Sequence, residues 1–209
     1  MKKVLLAAAL ALLATTASAT ITGGPHDLGS AANVAKYGAP QISGCQFCHA
    51  PHFGAATPAV GAPLWNRNNP ASGSFTLYTS NTLSTTAKTG EALGVNSLTC
   101  LSCHDGVSDM GNTVVGSKGY AAAKVMTGYA VVGTDLTNDH PVGIAFNAAD
   151  PTLVATVPAV PTSTSVGLEN GRVECGSCHD PHGTWDAATG GLSFLRQSSA
   201  TICAACHNK

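Results

Sequence analysis

The sequence predicts a mostly irregular chain with short helices and only a few short strands. Three observations lead to this fold class. Only 10% of the 209 residues are charged and 5% are aromatic, so few side chains are available to fill an interior. The chain has 23 Gly and 11 Pro, and residues of this kind interrupt long regular elements. All eight cysteines fall into four close pairs, which suggests that something other than side-chain packing organises the chain.

The first predicted element is an N-terminal targeting segment at residues 1–19. Lys2 and Lys3 precede an apolar run from residue 4 to 14, and Ala-Ser-Ala at 17–19 has the A-x-A form of a cleavage site. The run is too short for a transmembrane helix. We therefore expect a signal peptide, a mature chain that begins near Thr20, and a protein that works outside the cytoplasm. No cysteine stands at the cleavage point, so no lipid anchor is expected there.

The charge pattern argues against two classes of partner. The formal net charge is −1, and no Lys/Arg cluster occurs that could neutralise a phosphate backbone, so nucleic acid is not an expected partner. No stretch after the targeting segment approaches 18 consecutive apolar residues, so no membrane span is expected.

The strongest signal is Cys-x-x-Cys-His, which occurs four times and uses every cysteine. We name these segments motif 1 (45–49), motif 2 (100–104), motif 3 (175–179) and motif 4 (203–207). Cys-x-x-Cys-His is the attachment signal of a c-type haem: two thiols bond to the two vinyl groups, and the next histidine reaches the iron. The predicted cofactors are therefore four covalently attached haem c groups. The predicted attachment residues are Cys45, Cys48, Cys100, Cys103, Cys175, Cys178, Cys203 and Cys206, and the proximal ligands are His49, His104, His179 and His207.

Disulfides and zinc are the alternatives for these cysteines. Exported proteins often contain disulfides, but a disulfide framework does not require a histidine after every second cysteine. A structural zinc ion needs four ligands from two converging pairs, which would leave the other histidines unexplained.

The remaining histidines match the number of second axial positions. Four haems need four further imidazoles, and the chain has four: His26, His52, His140 and His182. We predict that all irons are bis-His. Met110 and Met126 could in principle act as axial ligands, but the complete histidine set favours core or surface roles for them.

Two of these histidines follow a haem motif in the form CxxCHxPH, at residues 45–52 and 175–182. His52 cannot easily reach the iron of its own haem, because three residues span at most about 10 Å and would have to round the macrocycle. It can more easily reach a neighbouring haem. We expect His52 to bind the haem of motif 2 and His182 that of motif 4, with other partner assignments open.

The other two distal histidines lie outside the CxxCHxPH segments. His140, in the sequence NDHPVG, is expected to serve the haem of motif 3. His26 lies just after the predicted mature N-terminus. It could bind the haem of motif 1 in its own chain, or equally a haem of a neighbouring molecule.

Regular elements are expected where local signals are strong. Residues 75–80, FTLYTS, alternate like a short strand. Residues 166–175 read as a hairpin with Asn170-Gly171 in a type I′ turn, and a short helix is expected at each motif. A final helix is expected after Ser199, a possible N-cap. The order of motifs suggests tentative halves at 20–140 and 141–209 within one tetrahaem domain, 20–209.

Two kinds of side chain are expected around the haems. The aromatic residues Trp65, Trp185, Phe146 and Phe194 are expected to pack on porphyrin rims. The arginines Arg67, Arg172 and Arg196 are expected either to pair with haem propionates or to lie on the surface.

The sequence resembles the doubled-CxxCH multihaem cytochromes. The segments that carry the resemblance are, in order, GGPHDL, CQFCHAPH, APLWNRN, CLSCHDG, DHPVG, VECGSCHDPHG, FLR and CAACHNK. The chain is most similar to the OmcE-type tetrahaem cytochromes, which polymerise into extracellular nanowires. The resemblance implies a haem-organised fold, a continuous stack of bis-His haems, and one axial histidine supplied by the adjoining subunit. Carried over to this chain, it makes His26 the candidate for the ligand between subunits.

Three functions remain open at this point. A conduit of contacting haems, extended by head-to-tail polymerisation, would carry electrons to an external acceptor or a partner cytochrome. A monomeric periplasmic shuttle would use the same haems without assembling. A multihaem reductase would need one iron with an open position, and no motif or histidine is missing. We therefore expect an electron-transfer protein that is secreted, or alternatively periplasmic, and not an enzyme.

Overall fold

The computed structural model describes residues 21–37, 44–52, 54, 64–88, 91–111, 113–115, 124–160, 166–183 and 194–208. Most of them are turns, bends and extended segments, so the expectation of a largely irregular chain with short helices is confirmed. The predicted targeting segment and Trp185 lie outside the described residues.

The helices are short, and three of them carry haem motifs. They are α1 (Ala31–Tyr37), α2 (Gly44–Cys48), α3 (Thr85–Lys88), α4 (Val95–His104) and α5 (Cys175–Cys178). Two 3-10 turns, Ser72–Ser74 and Ile202–Ala205, complete the helical structure. Motifs 1, 2 and 3 lie on α2, α4 and α5, and motif 4 lies on the second 3-10 turn. The expected helical turn at every motif is therefore confirmed.

The sheet has two short antiparallel strands, β1 (Ile144–Ala145) and β2 (Arg172–Val173), with Ile144 opposite Val173. β2 follows the hairpin that the sequence predicted. Asn170 and Gly171 have φ values of 52° and 76°, the left-handed conformation that both central positions of a type I′ turn require. Glu169 and Arg172 exchange backbone hydrogen bonds of 3.0 Å across this turn. The hairpin is confirmed, and it leads directly into motif 3.

Two local expectations are wrong. The segment 75–80 does not form a strand, because only Thr76 pairs, in a single parallel bridge with Asp135. The final helix is present as a single 3-10 turn, but Ser199, the expected N-cap, does not cap it. The Ser198 carbonyl accepts the hydrogen bonds there, from the amides of Thr201 (3.0 Å) and Ile202 (2.9 Å).

The apolar core is small. One cluster contains the buried residues Phe75, Leu93, Leu101 and Leu136. Leu101, at 2% exposure, lies between the two cysteines of motif 2, so this cluster supports α4 from one side. Within the described residues, no helix is long and apolar enough to cross a membrane.

A buried carboxylate joins α4 to α5. Glu174, only 2% exposed, accepts hydrogen bonds from the Gly94 amide (3.1 Å) and the Ser97 hydroxyl (2.6 Å), at the start of α4. Ser97 in turn accepts a 3.0 Å hydrogen bond from the Cys175 amide. A Cβ at Gly94 would lie 2.8 Å from the Glu174 carboxylate, so only glycine allows this close approach. Motifs 2 and 3 are thereby held against each other.

We expect Glu174→Ala to lower the free energy of unfolding of the haem-loaded protein by about 2–4 kcal/mol, because the variant leaves buried donors unsatisfied. A urea titration followed by far-UV circular dichroism would measure the loss. Glu174→Gln is the matched control, since it keeps the size of the side chain and one carbonyl acceptor, and it should lose clearly less. Equal stability of Glu174→Ala and the native chain would show that the junction contributes nothing.

Candidate functional site

The eight cysteines are all free thiols, so each is available for attachment. In motifs 1, 2 and 3 the two cysteines are three residues apart on a helix, which places both thiols on one face of the helix. The histidine that follows ends the helix or lies just beyond it. This arrangement suits a group that bonds to two thiols along one edge and then meets an imidazole.

Burial of the cysteines affects their ionisation. It raises the pKa of the Cys48 thiol to about 12 and raises the pKa of Cys103 and Cys178 as well. A hydrogen bond from Cys100 to Cys175 raises the pKa of Cys100 and lowers that of Cys175. Cys48, Cys103 and Cys178 are half-buried, so a macrocycle attached to them would be partly shielded from water.

The first CxxCHxPH segment is fixed by a partner segment sixteen residues further along the chain. His49 forms an antiparallel bridge with Trp65, and the Ala50 amide donates a 2.8 Å hydrogen bond to the Leu64 carbonyl. Leu64 has a φ of 54°, which a residue with a side chain rarely adopts. The chain is thus turned sharply at the point where it meets the haem motif.

The second CxxCHxPH segment has the same local structure. His179 forms an antiparallel bridge with Leu195, again sixteen residues later, and the Asp180 amide donates a 2.7 Å hydrogen bond to the Phe194 carbonyl. Phe194 has a φ of 64°, which matches that of Leu64. The repetition in the sequence is therefore also a repetition in backbone structure. The division into halves at residue 140 stays a prediction.

Three of the four motif histidines lie beside a histidine from outside the motifs. The pairs, with the distances between ring centroids, are His49 with His182 (5.8 Å), His26 with His104 (6.1 Å) and His140 with His207 (6.3 Å). Imidazole nitrogens bind metals at about 2.0–2.1 Å, and the centroid lies roughly 1.1 Å behind the nitrogen. Two imidazoles on opposite sides of one iron would therefore have centroids about 6.3 Å apart. The three pairs fit bis-His ligation of a haem iron.

Hydrogen bonds orient two of these rings. His104 Nδ1 lies 2.7 Å from the Ala130 carbonyl, and His140 Nδ1 lies 3.1 Å from the Pro141 carbonyl. A neutral imidazole that donates from Nδ1 presents the lone pair of Nε2, which is the form that binds a metal. Both rings are thus set in the tautomer that an axial ligand needs.

His26 has a defined environment within its own chain. Its ring stacks on Phe194 with centroids 4.3 Å apart and planes 11° apart. Burial and the nearby His104 lower the pKa of His26, and a hydrogen bond to the Pro181 backbone opposes this effect. The ring therefore lies beside motif 2 and the second CxxCHxPH segment, where its surroundings favour the neutral form over the cation.

The structure places the distal histidines beside other motifs than the sequence suggested. His182 lies beside His49 of motif 1 and not at motif 4, and His140 lies beside His207 of motif 4 and not at motif 3. His26, for which motif 1 or a neighbouring molecule was left open, lies beside His104 of motif 2, where His52 was expected. The expectation followed the order of motifs along the chain, whereas the fold brings the two CxxCHxPH segments towards each other. His52 and His179, both exposed, are the two histidines that remain.

The thiols of consecutive motifs are neighbours. Cys100 of motif 2 is hydrogen-bonded to Cys175 of motif 3. Cys48 lies close enough to Cys103 for the two thiols to affect each other electrostatically, and Cys178 is related in the same way to Cys206. Motifs 1, 2, 3 and 4 are thus adjacent in space in the order in which they occur along the chain.

One buried donor near motif 1 has no hydrogen-bond acceptor among the described residues. It is the Trp65 Nε1 atom, and the Trp65 ring lies 6.2 Å from that of His49. A group bound at motif 1 that carries an acceptor, such as a haem propionate, would suit this donor. Trp65 therefore fits its expected position on a porphyrin rim.

The arginines do not lie as free surface side chains. Arg172 Nε is 3.4 Å from Glu174, and Arg196 Nη1 is 3.8 Å from Asp180. Arg67 is 3% exposed and donates to backbone carbonyls. The surface alternative is therefore wrong for Arg67. Nothing in the sequence indicated this burial, or the role of Glu174, because both depend on contacts between distant segments.

The two methionines considered as axial ligands lie in the interior. Met110 and Met126 are buried at 3% and 9% exposure, in keeping with core roles. Among the described residues, no group of three or more His, Cys, Asp or Glu side chains is arranged to hold a metal ion by itself.

Residues 168–209 match the family model described as Doubled CXXCH motif, which covers motifs 3 and 4 and about a fifth of the chain. No curated protein matches the chain. The match supports a multihaem c-type cytochrome with covalently bound haem c and a role in electron transfer.

Proposed function

We propose that this protein transfers electrons through four c-type haems, one at each motif, and that every iron has two histidine ligands. The observation that carries the proposal is the spacing of three histidine pairs, 5.8, 6.1 and 6.3 Å between ring centroids, which suits two imidazoles on one iron. Each pair joins the histidine of a CxxCH motif to a histidine from a distant segment.

The ligand assignment follows from these pairs. The haem of motif 1 takes His49 and His182, that of motif 2 takes His104 and His26, and that of motif 4 takes His207 and His140. Elimination leaves His179 and His52 for motif 3. The two CxxCHxPH segments then exchange histidines: each attaches one haem and supplies the second ligand of the other. This exchange explains why a proline-histidine follows motifs 1 and 3 but not motifs 2 and 4.

The residues of the chain have simple roles in this function. The cysteines attach each haem and fix its edge, and the two imidazoles fill both axial positions. A haem so bound supplies one-electron redox chemistry and offers no open coordination site to a substrate. We therefore propose that the protein is not an enzyme. Bis-His ligation should also place the reduction potentials below those of His/Met cytochromes, because methionine ligation raises the potential.

The packing of the motifs supports transfer from one haem to the next. The hydrogen bond between Cys100 and Cys175 and the Glu174 junction hold motifs 2 and 3 together. The chain thereby keeps neighbouring cofactors at a fixed separation. A rigid arrangement costs no structural reorganisation when an electron moves.

We further propose that the protein is exported and that it assembles into an extracellular filament through its N-terminal arm, residues 21–37. The arm has internal structure of its own, since Asn33 Nδ2 donates to the Asp27 carbonyl (2.9 Å) and the Pro25 carbonyl (3.3 Å). It contacts the rest of the chain through His26, Phe194 and His104. The same contact made with an adjacent copy would be a head-to-tail exchange, and an exchange that does not close makes a filament.

The alternative is a monomeric periplasmic shuttle, in which the arm stays on its own chain. The placement of His26 beside His104 of the same chain favours this alternative. Both alternatives use the same four haems, so they differ only in assembly.

Two measurements on the exported protein test the proposal. The pyridine haemochrome assay with intact mass should give four haems per chain, and the visible spectrum should be low-spin. Fewer than four haems, or a high-spin native spectrum, would contradict bis-His ligation at every motif. Negative-stain microscopy of the same material then separates a filament from a monomer.

His26→Ala tests the role of the arm. We expect the variant to keep four attached haems, because all eight cysteines remain, and to bind one equivalent of carbon monoxide at motif 2 when reduced. If the arm joins subunits, the variant should also fail to form filaments. His26→Ala filaments as long as those of the native chain would exclude the arm as the link.

A further inference from the structure

Arg67 is a buried cation whose hydrogen-bond acceptors are all neutral. It is 3% exposed, and its guanidinium donates to the carbonyls of Met110 (2.6 Å), Asp109 (2.7 Å) and Ser102 (2.8 Å). Its Nε atom also donates to the Ser102 hydroxyl at 3.3 Å. In the part of the chain that the structure describes, the arginine–carboxylate ion pairs are Arg172–Glu174 and Arg196–Asp180, and neither includes Arg67.

The charge of Arg67 is permanent. A guanidinium does not lose its proton in proteins, and placing it in the interior without a carboxylate costs free energy. Its acceptors satisfy the N–H groups but do not neutralise the charge. The interior near Arg67 therefore has a positive potential that solvent does not screen.

This potential acts on motifs 1 and 2. Ser102, which receives two of the hydrogen bonds, directly precedes Cys103. The backbone amide of Asn66, which precedes Arg67, donates a 2.9 Å hydrogen bond to the Cys48 carbonyl.

The nearby acids oppose Arg67 in part. Asp105 is 4% exposed and directly follows His104, and its carboxylate accepts hydrogen bonds from Val107 (2.9 Å) and Ser108 (2.7 Å) in its own loop. Asp109 likewise accepts from Gly111 at 2.8 Å. Both acids stay in place when Arg67 is replaced, so a variant of Arg67 measures the contribution of the guanidinium alone.

Motif 3 has charges of both signs. Glu174, 2% exposed, directly precedes Cys175 and lies 3.4 Å from Arg172. Glu169 is 9% exposed and packs closely on Gly176, whose carbonyl accepts a 2.7 Å hydrogen bond from Arg196. The charges at motif 3 thus offset each other, whereas Arg67 has no carboxylate partner in an ion pair among the described residues.

A ferric haem carries one more positive charge than a ferrous haem. A buried cation nearby disfavours the ferric form, and this Coulomb term is large where the effective dielectric constant is low. We propose that Arg67 raises the reduction potential of the haem attached at Cys100 and Cys103. This inference rests on the proposed haem ligation.

Redox titration of the complete haem-loaded protein tests the inference. Arg67→Gln removes the charge and keeps a hydrogen-bond donor, whereas Arg67→Lys keeps the charge. We expect Arg67→Gln to lower the equilibrium constant for one-electron reduction of this haem at least tenfold, which corresponds to 59 mV. Arg67→Lys should change it less than threefold. Lys88→Gln, an equal change of charge at an exposed site, should leave all four potentials unaltered.

Haem content and spectrum separate the possible failures. If Arg67→Gln keeps four low-spin haems and its potentials equal those of the native protein, Arg67 does not set the potential and the inference is overturned. If the native protein itself lacks four low-spin haems, the proposed function fails first. If only Arg67→Gln loses haem, Arg67→Met, which is also neutral, takes its place in the same titration, and potentials equal to those of the native protein overturn the inference.

Discussion

Replacing His182 with alanine is expected to convert one of the four haems, that of motif 1, from low-spin six-coordinate to high-spin five-coordinate iron. The ring of His182 lies 5.8 Å from that of His49, and the alanine side chain cannot replace it as a ligand. Reduced native protein should bind no carbon monoxide rapidly, whereas the reduced variant should bind one equivalent per chain. The amplitude of the carbon monoxide difference spectrum gives the stoichiometry.

The affected haem can be identified by NMR. The assignment from the fold places the high-spin haem at His49, whose ring is 6.2 Å from that of Trp65. The assignment expected from motif order would place it at His207, which pairs with Leu153. Nuclear Overhauser contacts from the high-spin haem methyl groups to Trp65 would support the exchange of histidines between motifs 1 and 3, and contacts to Leu153 would contradict it. His140→Ala is the matched control, because it should affect the haem next to Leu153.

Without haem, the chain is expected to lose its tertiary structure. The apolar cluster around Phe75, Leu93, Leu101 and Leu136 is small for a chain of 209 residues. Such a core rarely offsets the conformational entropy of a long irregular chain. In the proposed ligation, bonds from iron to histidine would join segments as distant as 49 and 182, so ligand binding and folding would be coupled.

A comparison of the haem-free polypeptide with the haem-loaded protein tests this expectation. Residues 20–209 made in the cytoplasm should carry no haem, and residues 1–209 exported with haem maturation are the control. We expect the haem-free chain to give narrow amide dispersion in ¹H–¹⁵N spectra and no cooperative thermal transition. Dispersed amides and a cooperative transition in the haem-free chain would show that the polypeptide folds by its own packing.

Sequence reasoning succeeded where the signal is local. The CxxCH spacing predicted a helical turn at each motif, and Asn170-Gly171 predicted a type I′ turn whose φ values of 52° and 76° were found. It failed at residues 75–80, because the alternation of apolar residues is short and the segment has no full-length partner strand among the described residues.

The pairing of histidines could not be predicted in the same way. Proximity along the chain suggested that each distal histidine serves the next motif, yet His182 lies beside His49 and His140 beside His207. Each of these contacts closes a loop of many residues. The entropic cost of closing a loop grows only slowly with its length, so the sequence separation of two histidines is a poor guide to whether they pair.

The sequence by itself therefore determined the chemistry of this protein: four CxxCH motifs, a matching set of histidines, and a composition that forms few regular elements. Only the tertiary structure decided which histidines meet, that Arg67 is buried at motif 2, and that Glu174 joins α4 to α5. The physical reason is that bond-forming groups and turn preferences depend on a few neighbouring residues. Burial and ligand pairing depend instead on how distant segments pack together.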